Sequence, residues 1–493
     1  HSLGSVTLQN TGSSTITDLS LRLFIPGLMQ TPSEAQNPRA LGVGQSISVD
    51  LPALLDSGVL DRGEAGSVSA ELTVEYVSGG KPYKEVVARP IGVLNRNAIR
   101  WDDDRKVASF MITTDPALLR FSGQIMGMVE DTPTNLLTQG FLSAIRLFSG
   151  MQAAGIHYVV DPQSSYESLS RDSAAIDFVR FPIETLDAKS GDCDDLSVLY
   201  NTLLESVGVS TAFITTPGHI FTAFDSGIPA ELAGRVAAKP EEVIVRDGSV
   251  WIPVETTALD QGFVKAWQIG AVEWREAAGR KTGKFFTTKD AWQLYPPAGF
   301  SAAQGAAIPS QERVLSQYKE ELSAYRNHSL VPRETALLAD ISESPSSAGE
   351  NQLGILYAQF GLFSKALEQF DHASSGTPYL PALINAANIL SIQKQYDAAR
   401  SYLKRAGEIN PDNAHVLVRL AYSYLQSGKE SEARSTFERM SKIDPALAER
   451  FPLFGPAANT PPTPTASGSS PTGRAAKIDS GQLLFGSDWI TGN

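Results

Sequence analysis

Cysteine is almost missing from this sequence: Cys193 is the only one in 493 residues. A disulfide within the chain is therefore excluded, and any chemistry at that position belongs to a free thiol. Histidine is scarce as well, with six residues. No apolar run reaches the ~18 residues that a membrane-crossing helix requires. Positive charge is in deficit, with 41 Lys and Arg against 54 Asp and Glu and a formal net charge of −13. That balance argues against nucleic acid and anionic membrane surfaces as partners, since both select basic patches. A secretory leader is also missing. The chain begins at His1-Ser2-Leu3-Gly4 and enters a strand-like Val6-Thr7-Leu8 almost at once, so it reads as a fragment or processed form and leaves the compartment open.

What is present divides into blocks. At ~150 residues per domain the length predicts about three domains, and 42% hydrophobic residues are enough to build real cores. Residues 1–95 carry period-two alternation at Leu19, Leu21, Leu23 and Ile25, at Ile47, Val49 and Leu51, and at Val68 to Tyr76. Short alternating strands bounded by Gly, Pro, Asn or Ser, with no helix among them, predict an antiparallel β-sandwich of loosely immunoglobulin-like kind. Such modules are common in exported proteins, which points to an extracytoplasmic location, periplasmic or cell-envelope. Residues 96–130 form a junction. Its Trp101-Asp102-Asp103-Asp104 lacks the Gly and the distal Glu of a calcium loop and reads as a solvated turn. From Asn135 to Gln152, Leu136, Leu137, Phe141, Ala144, Ile145 and Phe148 predict an amphipathic helix.

The most informative stretch is Ser190-Gly191-Asp192-Cys193-Asp194-Asp195. After it Leu196, Leu199, Tyr200, Leu203, Leu204 and Val207 recur at helical spacing and Gly208 is a natural stop. Cys193 thus falls in the first turn, on the buried stripe, with Asp192 as N-cap. A thiol there feels the positive end of the helix dipole, which favours the thiolate; a lone Cys on an apolar stripe is otherwise a small core residue. Val209 to Thr216 predicts a strand, Pro217-Gly218 a turn, and His219 to Phe224 a returning strand with the histidine at its start. A second hairpin is signalled by Asp247-Gly248, and its outgoing strand ends at Pro253-Val254-Glu255-Thr256-Thr257. A carboxylate at Glu255 could accept the second N–H of an imidazole and hold its tautomer. Between the hairpins, residues 225–242 read as a surface insertion or a lid beside the cleft.

The order Cys, His, acid on helix, strand, strand resembles the transglutaminase-like superfamily. Gly191 to Asp195, Pro217-Gly218-His219 and Trp251 to Thr257 are similar to its bacterial cysteine-peptidase branch. The resemblance spans roughly Ala117 to Tyr295 and includes Ile156 to Pro162, similar to the segment that ends the family's first helix. It implies a papain-like α+β core over residues 96–300, with Cys193 as nucleophile, His219 as base and Glu255 as orienting acid. Glu255 is a departure, because most members carry Asp there and the longer side chain demands different spacing. The Cys193 backbone N–H supplies part of the oxyanion hole, and Tyr158 is the candidate second donor. No cofactor and no metal are expected.

Beyond residue 300 the pattern is helical, first at Val314, Leu315, Tyr318, Leu322 and Tyr325. A period of about 34 follows, characteristic of helical hairpin repeats. Leu353-Gly354, Tyr357, Gly361, Ala366, Phe370 and Pro378 are answered by Ala386-Ala387, Leu390, Ala399, Leu403 and Pro411, then by Leu420-Ala421, Tyr424, Gly428, Ala433, Phe437 and Pro445. These resemble tetratricopeptide repeats, at about 347–379, 380–413 and 414–447 within a helical domain of residues 301–455. The repeats imply a concave surface for a protein or peptide partner. Residues 456–493 are rich in Pro, Ser, Thr and Gly and predict a disordered tail, in which Leu483-Leu484-Phe485 and Trp489-Ile490 are a candidate docking motif. The whole reads as an extracytoplasmic thiol hydrolase, a cysteine peptidase or amidase acting on peptide or protein amides, with a repeat module that docks substrate or partner. Acyl transfer to an amine and a non-catalytic binding scaffold are the alternatives.

Overall fold

The computed structural model describes residues 2–36, 39–131, 133–134, 136–160, 175–237, 239–299 and 307–451. The expected tail at 456–493 and residues Asp161 and Pro162 lie outside them.

The N-terminal part is sheet-rich. Ser2–Gln9 pairs with Ser46–Pro52, and Ser33–Glu34, Ile16–Phe24, Gly66–Ser78 and Lys81–Val93 form a four-stranded antiparallel sheet in that order. Alternation decides which residues face inward: Leu19, Leu21, Val49 and Leu72 are buried together with Val6, Leu8 and Ile47 packed on them, so side chains of both sheets meet. Lys81–Val93 was not legible in the sequence because nearly all of its residues are exposed, and a strand without a buried face has no period to read.

In the middle part the helix Gln139–Ala154 starts at the cap Thr138 and stops at the left-handed Gly155. It is buried on nearly every side rather than amphipathic. Around it stand the helix Cys193–Ser206, a five-stranded antiparallel sheet and the helix Phe263–Gly279. The sheet runs Ile244–Arg246, Ser249–Val254, His219–Pro229, Thr211–Thr216, Lys284–Thr287. Its two tight hairpins follow from backbone chemistry. Gly218 takes φ +82°, and Asp247 and Gly248 both take positive φ, as a two-residue turn of the primed type requires.

Trp101 to Asp104 is not a solvated turn. Trp101 is buried and donates from Nε1 to Asp177 at 2.8 Å. Asp102 pairs with Lys106, Asp103 caps a short 3-10 turn and binds Arg105, and Asp104 accepts from Thr215 and Lys284. The segment 225–242 is not a free lid either. Val236 and Ala237 are buried, Tyr325 and Arg333 donate to its carbonyls, and His328 bonds Glu242 at 2.8 Å.

The C-terminal part is a row of helix hairpins: Ser347–Gln359 with Phe363–Ala373, Leu380–Ile392 with Tyr396–Ile409, and Ala414–Gln426 with Glu430–Ile443. The period of 34 is written in polar groups as well as apolar ones. Asn385 donates to Asn351 at 3.0 Å, and Arg419, at the matching place in the next hairpin, donates to Asn388 at 2.6 Å. Before these hairpins, Gln311–Ser329 packs into the middle part. Tyr325 lies 4.8 Å from Phe141, 6.2 Å from Trp267 and 5.6 Å from Phe360, centroid to centroid. Arg326 and Thr134 cap the carbonyls of Phe360 and Gln359. One hydrophobic core consequently joins buried residues of the middle part, from Ile99 onward, to those of the first helical hairpin and to Ala382, Ala386 and Ile389 of the second.

A single shared core predicts joint unfolding. Phe360→Ala, made in the first helical hairpin, should cost about 3–5 kcal/mol and lower the urea midpoint followed by tryptophan fluorescence of the middle part. An unchanged midpoint would mean that the repeats unfold separately.

Candidate functional site

The local sequence sets the position of Cys193. Asp192 leaves the helical region and caps the first turn, its Oδ1 accepting from Asp195 N at 3.3 Å. Gly191 must be glycine, because a Cβ there would stand 2.6 Å from the Asp195 Cβ. The thiol is 7% exposed and lies against the backbone N–H of Ile220, the residue after His219. Tyr158 belongs to the short strand His157–Tyr158, which runs parallel to Ser190–Gly191. It is 40% exposed and close enough to Cys193, Asp192 and Glu255 for their charges, after its own burial, to raise its phenol.

His219 opens its strand directly opposite Thr216. Its Nε2 lies 2.6 Å from Glu255 Oε2, and the ring stacks on Phe221 at 5.8 Å. Glu255 is 2% exposed. Its other oxygen, Oε1, accepts from both the backbone N (2.8 Å) and the hydroxyl (2.6 Å) of Thr257. The additional methylene of Glu is accommodated because the carboxylate curls back to cap the turn Thr256–Gln261 while still reaching the ring. Its backbone is fixed from behind: Glu255 N donates to Ala266 O at 3.0 Å. Gly270 allows the approach, since a Cβ there would meet the backbone of Pro253 to Glu255 at 3.1 Å. Ser197 and Thr256 share a hydrogen bond of 3.1 Å, tying the Cys193 helix to the Glu255 turn. Cys193, His219, Glu255 and Tyr158 are therefore gathered at one place from four separate segments.

The electrostatics correct one expectation. Burial, followed by the charges of Asp194 and Asp192, pushes the Cys193 thiol well above its ordinary value, and the Ile220 N–H only partly opposes this. The helix dipole is outweighed first by burial of the thiol and then by Asp194 and Asp192 in the same turn, and Asp194 is itself fully buried and driven up. Asp195 is pushed up to about 7 by burial and by Asp192, against the pull of Arg180. At His219 burial favours the neutral ring, yet the bond and charge of Glu255, aided by Glu273, raise it overall. Burial would raise Glu255, and its bonds to His219 and Thr257 lower it instead. At rest the site thus holds a protonated thiol, and an imidazole whose basicity is raised by a charged carboxylate.

Two groups near the site were not found from the sequence. Thr257 was within reach, since a side chain two residues after a carboxylate is the usual partner in a capped turn. Glu273 was not. It lies on Phe263–Gly279, where an acid at helical spacing looks like a solvated face, and nothing local reveals that its Oε2 comes within 3.5 Å of His219 Nε2. Two clusters bring three ligand-type atoms within 4.8 Å of one another: His219, Glu255 and Glu273, and Asp192, Asp194 and Asp195. In the first, the 2.6 Å contact is a hydrogen bond, shorter than the ~3.3 Å between ligands on a tetrahedral ion.

Comparison with known proteins bears on the C-terminal part. A tetratricopeptide repeat family model matches residues 390–450. Solved structures similar to this chain include a crystal structure of MamA, at 19% identity over 29% of this chain and 80% of that one with a TM-score of 0.23. Another MamA structure matches at 21% identity over 27% of this chain and 75% of that one, with a TM-score of 0.21. At scores this low the likeness carries no argument about function. No curated protein matches the sequence. The C-terminal region therefore contains tetratricopeptide repeats, a scaffold for protein–protein interaction, and no helix among the described residues is long and apolar enough to cross a membrane.

Two outcomes follow from these charges. Alkylation of Cys193 by iodoacetamide should accelerate as pH rises through and beyond the ordinary thiol value of ~8.5; a plateau on the acid side of neutrality would show a preformed thiolate instead. Asp194, Asp195, Glu205 and Glu273 are all raised, so above about pH 4 the folded chain holds protons that the unfolded chain has released. His219, also raised, acts in the same direction, its contribution being lost as pH rises through its folded value. Thermal midpoints should accordingly fall between about pH 5.5 and about pH 8, and a rising midpoint in scanning calorimetry would contradict the assignment.

Proposed function

We propose that the chain is a thiol hydrolase, a cysteine peptidase or amidase of transglutaminase-like kind acting on peptide or protein amides, with its repeats holding a protein partner or substrate. The observation that carries this is the 2.6 Å bond between His219 Nε2 and a buried, doubly braced Glu255, with the chain's single thiol, at a helix start, near enough to feel the Ile220 N–H and the charge of Glu255. Because Glu255 occupies Nε2, Nδ1 is the nitrogen left to exchange a proton with sulfur. Cys193 gives its proton to His219 as sulfur bonds to the carbonyl carbon and the carbonyl oxygen takes the electron pair. The Cys193 N–H and the Tyr158 hydroxyl stabilise that oxyanion. Collapse breaks the C–N bond, and the departing amine takes the proton from His219. Water then attacks the thioester, His219 accepts the water's proton and returns it to sulfur. An elevated thiol fits general-base activation within the complex, where the imidazolium formed is held by Glu255.

We place the reaction outside the cytoplasm, on the strength of the sheet-rich N-terminal module. A second reading, a non-catalytic binding scaffold, is favoured by the repeat match at residues 390–450 and by the deep burial of the thiol.

The test is mass spectrometry of a proteome-derived peptide mixture incubated with the protein, with and without a primary amine. Wild type should generate new carboxyl termini and Cys193→Ala none. Glu255→Gln should lower kcat by roughly three to four orders of magnitude with little change in KM, because an amide can hold the wrong tautomer. Amine adducts would assign acyl transfer instead of hydrolysis. Partner capture by both wild type and Cys193→Ala, with no product from either, would establish the scaffold.

A further inference from the structure

The His219–Glu255 pair does not stand alone. Glu273 approaches it from the helix Phe263–Gly279, its Oε2 3.5 Å from His219 Nε2. That oxygen is out of contact with solvent and accepts no hydrogen bond, although the side chain as a whole is 37% exposed. Glu255 has no capacity to spare on its other side, since Oε1 already takes two bonds from Thr257. Two carboxyls so placed against one ring nitrogen cannot both be ionised cheaply while the ring is neutral. A proton held between them satisfies the stranded oxygen and removes the repulsion.

We propose that Glu273 is a positioning residue for the His219–Glu255 pair, a second carboxyl that shares a proton with Glu255 and sets the number of negative charges the imidazole faces. This rests on the reading of His219 and Glu255 as a working pair. With Glu273 protonated, the ring faces one negative charge and is the weaker base. With Glu273 ionised, it faces two and becomes the stronger base. Burial first, and then the charge of Glu255, push Glu273 up to about 7, so the change falls near neutrality.

The charged neighbours are consistent with this. From its own helix Glu276 opposes ionisation, while Lys265 and Arg275 line the same cavity. Lys239, Glu241 and Glu242 face that cavity from the adjoining turn. Across the site stand Cys193, whose thiol is protonated at rest, and Asp192. None of the lysines or arginines forms an ion pair with Glu273 among the described residues. The carboxyl therefore answers chiefly to Glu255 and His219.

The experiment is NMR titration of the full chain with isotope-labelled histidine, with the His219 signal assigned through a His219→Gln variant, in wild type, Glu273→Gln and Glu273→Ala. Wild type should show two inflections at His219, one of them near 7. In both Glu273 variants that inflection should vanish and the ring's own midpoint should move down. Where peptide hydrolysis is measurable, the acid limb of its kcat/KM profile should simplify in the same way. An unchanged His219 titration in Glu273→Gln overturns the proposal, as does a change in Glu273→Ala that Glu273→Gln does not share, which would assign packing rather than charge. Because the titration needs no substrate, absence of hydrolysis in wild type would count against the proposed reaction while leaving the role of Glu273 to be decided by the signal.

Discussion

A carboxylate as deeply buried as that of Glu255 is costly unless every lone pair it presents is met, and this one constraint governs the geometry of the candidate site. Thr257 meets one oxygen twice and His219 meets the other. To deliver those groups the outgoing hairpin strand must end where a capped turn begins, and the His219 strand must lie beside it in register. The helix behind must come close enough for Ala266 to take the Glu255 N–H, which Gly270 permits. Removing any one of these leaves charge stranded in a core, so the site and the fold are specified by the same contacts.

The same economy explains why the helical C-terminus is joined rather than tethered. Phe141, Phe263, Trp267, Tyr325 and Phe360 form a chain of ring contacts from the central helix to the first helical hairpin. A hairpin repeat cannot bury both of its faces alone. Here the middle part supplies the missing neighbour, so that the repeat surface is carried at a fixed place relative to the thiol. The segment 225–242 is pinned by Gln311–Ser329 and by Arg333 for the same reason.

The electrostatic character of the site is a compromise between two features of one turn. The helix start favours a thiolate, but burial favours the thiol, and Asp194 and Asp192 reinforce it. The basicity of His219, for its part, answers to two carboxyls rather than one, Glu255 and then Glu273.

Much of the fold was legible because it is written in period and punctuation. Alternation at Leu19 to Ile25, the stripe from Leu196 to Leu204, the turn residues Gly218, Asp247 and Gly248 and the 34-residue repeat are local signals, and each depends on which face of an element is buried or which residue tolerates positive φ. The order Cys193, His219, Glu255 was likewise legible, as types and spacing. What the sequence could not determine is whatever depends on closure in three dimensions. Lys81–Val93 has no buried face and so no period. Trp101 to Asp104 looked solvated because its partners, Asp177, Thr215 and Lys284, are distant in sequence. The charge state of the thiol, the approach of Glu273 and the fusion of the repeats to the core were decided only by tertiary structure. Desolvation and Coulomb energies depend on through-space distance and burial, and neither is a property of neighbours along the chain.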